Sequence, residues 1–374
     1  MEMNLSSRRQ FLNWTGSALA IGILSQRELV PEAATEKELI FHNVEDWGVE
    51  GRGWADVERH YDRLPARAKG VVREPVWDLS RHSAGMLTRF ETDASEIWVD
   101  CHLWSDRLAL PHMPATGVSG LDLYAMDDEG QWRWLSVMRP AEQRVKGSLI
   151  TGLVPRQRAY MLYLPLYNGI DSLEIGVEKG ASFEPIPPRT DRPVVFYGTS
   201  ITHGACASRP GMPHSAILGR RLDSPVINLG FSGNGRMEPE VGAFLAELDP
   251  SIYVIDCLPN MTAETVEERA EALVLQIRRA RPKTPIVLVE DRTYANAAFV
   301  PEKQKRTAGS RAELRKARRR LLDAGVEDLW YLEGEALLGS DREDTVDSSH
   351  PTDLGFMRMS EVFEPVLRNA LKRY

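Results

Sequence analysis

The 374-residue sequence predicts an α/β fold, a five-stranded parallel sheet with helices on both faces, preceded by a β-sandwich. Three observations point there. From about residue 37 to 183, apolar and polar residues alternate with period two; "FEPIPPRTDRP" at 183–193 then carries four prolines; and beyond it Val- and Ile-rich runs alternate with segments of helical period. The length suits two domains better than one core.

Residues 6–24 read "SSRRQFLNWTGSALAIGIL", in which Arg8 and Arg9 precede Phe11, Leu12 and a short apolar run. The run is too short and broken for a membrane span, and paired arginines ahead of it fit the signal that routes folded proteins across a bacterial membrane. Residues 1–34 are therefore expected to be a twin-arginine export signal, with the mature chain periplasmic or extracellular; a frayed amphipathic terminus is the alternative.

Residues 37–185 are expected to form the sandwich. Ile97, Val99, Cys101 and Leu103 alternate with Trp98, Asp100, His102 and Trp104, and Leu173, Ile175 and Val177 alternate with Glu174 and Glu178. Turn signals such as "DDEG" and "LYNGIDS" separate the runs, with no long helical period among them. Seven of the nine tryptophans lie between Trp47 and Trp134. They would serve as a sugar-stacking face or, more commonly, as core and domain contacts. The proline-rich stretch reads as a stiff linker.

Residues 190–374 form the second domain. "VVFYG", "PVINLG", "IYVIDC", "PIVLVE" and "LWYLEG" read as buried parallel strands, and 213–222, 238–247, 264–280, 310–324 and 353–372 as helices. The basic run "RAELRKARRR" at 311–320, with Ser310 and Glu313 as a capping signal, is a solvated helix face. Lys plus Arg (46) minus Asp plus Glu (54) gives −8, which argues against a general nucleic-acid or anionic-membrane binder. Cys101, Cys206 and Cys257 form neither a disulfide framework nor a zinc spacing; a single Cys206–Cys257 bridge or two buried small residues remain.

In open parallel sheets ligands bind beyond the carboxyl ends of the strands. The first strand ends in "GTSITHG", the second in "NLGFSGNG", the third in "DCLPNM", and the fifth is followed by "DREDTVDSSHPTDLG". A serine hydroxyl needs an adjacent base, usually a histidine oriented by a carboxylate. Ser200 has candidates for both in His350 and Asp347, three residues apart in the last loop. Charge developing on a substrate oxygen needs donors already aimed at it. The Ser200 N–H at a helix start, the Gly233 N–H in a turn with no side chain in the way, and the Asn260 side chain supply three. Four suitable groups at four strand ends make a constellation for acyl transfer.

That constellation resembles the SGNH hydrolase superfamily, the GDSL esterases and lipases, whose four letters fall on Ser200, Gly233, Asn260 and His350. The resemblance implies a flavodoxin-like hydrolase domain with Ser200, His350 and Asp347 as triad, an oxyanion hole of Ser200, Gly233 and Asn260, and no cofactor or metal. Thr199 stands where the eponymous motif has aspartate, and "DCLPNM" lacks the glycine usual two residues before the asparagine. "GLDLY" at 120–124 resembles the signature of the β-sandwich domain that precedes some bacterial SGNH hydrolases, with "YDRLPARA" and "VWDLSRHSAGM" in similar company. The expected activity is hydrolysis of small acyl esters, acetyl groups on carbohydrate first. The alternatives are a lipase or thioesterase for longer chains, and a carbohydrate-binding protein on a hydrolase scaffold.

Three further features lie near these strand ends. His203 lies three residues after Ser200 and either faces the cleft or supports it. Asp256 is read as structural. The stretch 292–307 is long for a strand-to-helix connection and suggests a lid or substrate-binding loop.

Overall fold

Why the alternating half folds as it does is clearest in its central strand. A computed structural model describes residues 37–372; the expected export signal lies outside them. The nine strands of the first half are β1 (Leu39–Asn43), β2 (Leu87–Thr92), β3 (Glu96–Leu103), β4 (Asp122–Met126), β5 (Trp132–Val137), β6 (Arg144–Thr151), β7 (Arg158–Tyr163), β8 (Ile170–Glu178) and β9 (Phe183–Ile186). They form two antiparallel sheets, β1-β8-β3-β6 and β5-β4-β7-β2-β9. Ile97, Val99, Cys101 and Leu103 of β3 face inward, where they share one core with Phe90, Leu123 and Leu162 of the opposite sheet. Period two has become two packed layers.

Two details depart from expectation. "FEPI", read as the start of a linker, is β9; it is an edge strand, where Pro185 removes no ladder bond that the sheet needs. A seven-residue helix, α1 (Glu74–Ser80), interrupts the strands. At under two turns it is too short to leave a periodic trace.

In the second half β10 (Val194–Gly198), β11 (Val226–Gly230), β12 (Ile252–Asp256), β13 (Ile286–Val289) and β14 (Leu329–Leu332) form a parallel sheet in the order β11-β10-β12-β13-β14. Order reverses at β10, so the crevice beyond the ends of β10, β11 and β12 is where a ligand belongs. After two short helices, α2 (Ala115–Val118) in the first half and α3 (Ser200–His203), come α4 (His214–Leu222), α5 (Pro239–Glu247), α6 (Ala263–Ala280), α7 (Pro301–Asp323) and α8 (Asp353–Leu371). One sheet face packs on α5, α6 and α7 and the other on α4 and α8.

Helix α7 starts nine residues before the expected Ser310, at Pro301, a residue suited to a first helical position. Ser310 is buried mid-helix and donates to Thr307 O at 3.2 Å, so it caps nothing.

The halves are not separate bodies. From Glu38 onward the chain is one compact unit, and Trp54, Leu64, Ala68, Val72, Val76 and Trp77 of the first half complete the core on the α5–α6 face. The fully buried Arg63 donates to Leu79 O and His82 O in its own half and to Asn228 O and Gly230 O at the end of β11. Burial lowers its pKa to about 9, and the opposing pull of Tyr167 and Asp62 does not make up the difference. The "GLDLY" motif is a second clasp: buried Asp122 accepts from Arg209, Trp134 Nε1 and Gly211 N, each at 2.8 Å, and Tyr124 meets Arg209 at 2.5 Å.

Candidate active site

Strand β10 ends at Gly198, where any Cβ would fall 2.1 Å from Thr202 Oγ1 and 2.7 Å from Asp256 O. Glycine lets the chain turn hard against β12. Thr199 caps the one-turn helix α3 by accepting from Ile201 N, and Gly204, at φ +108°, ends it. Ser200 thus sits at the first position of α3 with 8% of its surface exposed.

Its Oγ lies 2.8 Å from His350 Nε2, and His350 Nδ1 lies 2.7 Å from Asp347 Oδ2. Asp347 also accepts the N–H groups of His350 (2.8 Å) and Ser349 (3.0 Å) through Oδ1. One carboxylate therefore fixes both the turn and the ring, and with Nδ1–H donating to it, Nε2 is left to accept from the serine hydroxyl. Burial pushes the Asp347 carboxyl up, but the N–H and imidazole of His350 and the N–H of Ser349 outweigh it and hold the group below its ordinary value.

The turn that carries His350 is braced from behind. Arg292, 2% exposed, donates to Ser349 O at 3.2 Å, contacts Ser349 Oγ and pairs with Asp291. Lys303 donates to Ser348 Oγ (2.7 Å) and Ala295 N to Ser348 O (3.0 Å). The 292–307 stretch, expected as a lid or binding loop, braces the 347–350 turn, and its last seven residues are the start of α7. Arg292 and Lys303 were missed because their partners are a backbone carbonyl and serine hydroxyls, which no spacing in the sequence signals.

Gly233, at φ +70°, has open space where a Cβ would stand. The Asn260 carboxamide, on a single 3-10 turn after β12, comes within 3.2 Å of Gly233 N and 3.3 Å of Asn234 N. With its oxygen turned to them it accepts both N–H groups; with its NH₂ turned to them, it and the Gly233 N–H become donors side by side, able to aim at one point.

His203 does not face the cleft. It is fully buried, Nε2–H donates to Leu166 O at 2.6 Å, and the ring stacks on Tyr167 at 4.1 Å, whose hydroxyl reaches Ser200 O at 3.4 Å. Burial and the guanidinium of Arg63 keep it neutral. All three cysteines are free and buried, so of the two readings of Cys206 and Cys257 the structure shows two buried small residues and not a bridge. Among the described residues no three His, Cys, Asp or Glu side chains cluster to hold a metal, and no helix is long and apolar enough to cross a membrane.

Asp256 accepts from Thr202 Oγ1 at 3.3 Å beneath α3. Burial, then the nearby Asp291, raise its pKa to about 8. An unfolded aspartate titrates near pH 4. Between about pH 4 and 8 the native chain therefore holds a proton that the unfolded chain has lost, and stability falls as pH rises through that window. Asp256→Asn, neutral throughout, should gain in melting temperature over the parent, and the gain should be larger at pH 8 than at pH 5. Melting curves at the two pH values check this; a constant offset contradicts it.

The first half reaches this site too. The loop 104–114 closes on reciprocal bonds between Leu110 and Met113, and Met113 is buried against Val118, Ala205 and Cys206. This puts the His112 ring 6.2 Å from that of His350.

The GDSL-like lipase/acylhydrolase family matches residues 191–368, and the N-terminal domain of SGNH-hydrolase-type esterases, which bears the GxDLY motif, matches 39–183. A solved structure from Bacteroides ovatus, described as a GDSL-like lipase, is 30% identical, with a TM-score of 0.86 over 90% of this chain and 98% of its own. The chain belongs to the GDSL-like lipase/acylhydrolase family. Two more distant structures share the fold: a salicylyl-acyltransferase from a tetracycline biosynthetic pathway (19% identity, TM-score 0.71, 88% and 97% covered) and a family two carbohydrate esterase from Cellvibrio japonicus (12%, 0.59, 90% and 99%). No curated protein sequence matches. As a GDSL-family member the protein is an SGNH-type ester hydrolase, and the sheet of its second half is the flavodoxin-like one that the resemblance implied.

Proposed function

We propose that the protein is an exported serine esterase that removes acetyl groups from carbohydrate. The observation that carries the reading is the hydrogen-bonded chain Ser200 Oγ–His350 Nε2 (2.8 Å) and His350 Nδ1–Asp347 Oδ2 (2.7 Å). Ser200 Oγ attacks the ester carbonyl while its proton passes to His350 Nε2, and the imidazolium is held by Asp347. The carbonyl oxygen gains charge toward the N–H groups of Ser200 and Gly233 and toward the Asn260 NH₂, the carboxamide having turned its oxygen away. The alcohol leaves with the proton from His350. Water then loses a proton to the same nitrogen, attacks the acetyl-enzyme, and acetate departs as the proton returns to Ser200. Export rests on Arg8, Arg9 and the apolar run behind them.

The carbohydrate part draws on fold neighbours, among them the Cellvibrio japonicus esterase above and an acetyl xylan esterase from Butyrivibrio proteoclasticus. The short acyl preference draws on the residues themselves, since "GTSITHGA" and "GFSGNG" offer no continuous apolar wall. Each buried CH₂ of a longer chain contributes about 0.8 kcal/mol only where such a wall exists. In a series of 4-nitrophenyl esters, kcat/KM should fall from acetate to octanoate, and acetylated xylo-oligosaccharides should release acetate. Rates that climb with chain length would turn the reading to a lipase.

A further inference from the structure

Beside Gly233 opens a cleft of about 450 Å³ whose walls come from both halves. Trp104, Arg107 and Leu110 of the loop 104–114 form one side, Asp78 of α1 borders it, and Ser232 and Asn234, the neighbours of Gly233, reach it from the end of β11. Trp104 is 40% exposed there, and the Arg59 guanidinium, 4.3 Å from its ring centroid, fixes the plane of the indole. Arg107 and Asp78 are exposed, and among the described residues neither side chain has a hydrogen-bond or ionic partner.

We infer that this cleft is a sugar subsite, in which the pyranose ring of an acetylated saccharide lies against Trp104 while Arg107 and Asp78 pair with its hydroxyls. This rests on the esterase reading above and adds to it the part of the molecule that selects the alcohol. A sugar ring has an apolar C–H face and a rim of hydroxyls, which an indole flanked by an unpaired guanidinium and an unpaired carboxylate matches. An aryl group would use the indole but draw nothing from the carboxylate and guanidinium. The acetyl group itself is too small to need such a cleft, so the bulk that fills it is the alcohol. The loop continues to His112 beside His350, the group that protonates the departing oxygen, so the same wall runs from the cleft to the leaving-group side.

The test is calorimetric titration of Ser200→Ala, in which the ester survives, with acetylated xylotetraose. Adding Trp104→Ala should weaken binding about tenfold or more, Arg107→Ala several-fold, and Trp104→Phe should recover most of the loss. In the active enzyme, Trp104→Ala should lower the ratio of kcat/KM for acetylated xylotetraose over that for 4-nitrophenyl acetate by about tenfold. Arg107 is exposed, so its variant reports even if the tryptophan variant folds poorly. Unchanged saccharide binding in both variants overturns the subsite, as does a loss confined to aryl esters. An enzyme that cleaves neither ester would instead overturn the esterase reading, while the titration still decides the cleft.

Discussion

Ser200→Ala should lower kcat for 4-nitrophenyl acetate by about 10⁶, leaving only the contribution of substrate binding and oxyanion donors. The side chain lost is one hydroxyl whose partner is His350 Nε2, so the melting temperature should not fall. A fluorophosphonate should label the parent once, at Ser200, and the variant not at all. A folded variant with parental activity would remove Ser200 from the chemistry, and labelling elsewhere would name its replacement.

Asp347→Asn should cost about 10⁴ in kcat. The carboxamide oxygen can still accept from the N–H groups of Ser349 and His350, so the turn survives. Its NH₂, however, faces His350 Nδ1. Two donors cannot share that contact, so the imidazole is driven to the tautomer with its proton on Nε2, where it can no longer take one from Ser200. The imidazolium also loses its counter-charge. The drop should appear in kcat with KM little changed, measured with 4-nitrophenyl acetate. Near-parental activity would point to Asp344 or Asp341, although both are already occupied by Arg358.

What the sequence disclosed follows from how far each interaction travels along the chain. The inward face of β3 was legible because alternation is a local consequence of burying one side of a strand. Ser200, Gly233 and Asn260 could be placed at one edge because each follows a strand within a few residues, whereas His350, far past the end of β14, could be placed only by its position just before the last helix. The start of α7 was not, since its first ten residues are almost wholly polar and only Pro301 marks the entry. Nor were Arg63 and Arg292, whose acceptors are largely backbone carbonyls 16 to 167 residues away, groups that every residue carries. The contact of the Asn260 carboxamide with the N–H groups of Gly233 and Asn234 was not legible, because it depends on how a distant turn is folded.

Arg63 couples the two halves energetically as well as by packing. A cation without a carboxylate, sealed among carbonyls from both sides of the junction, is useful only while both sides are present. Cut from the α/β half, it loses two of its acceptors to water; deprived of it, the end of β11, one residue short of the loop that bears Gly233, has two carbonyls with nothing to answer them. In this chain, then, neither half is a self-sufficient piece: the sealed cation ties the stability of each to the presence of the other.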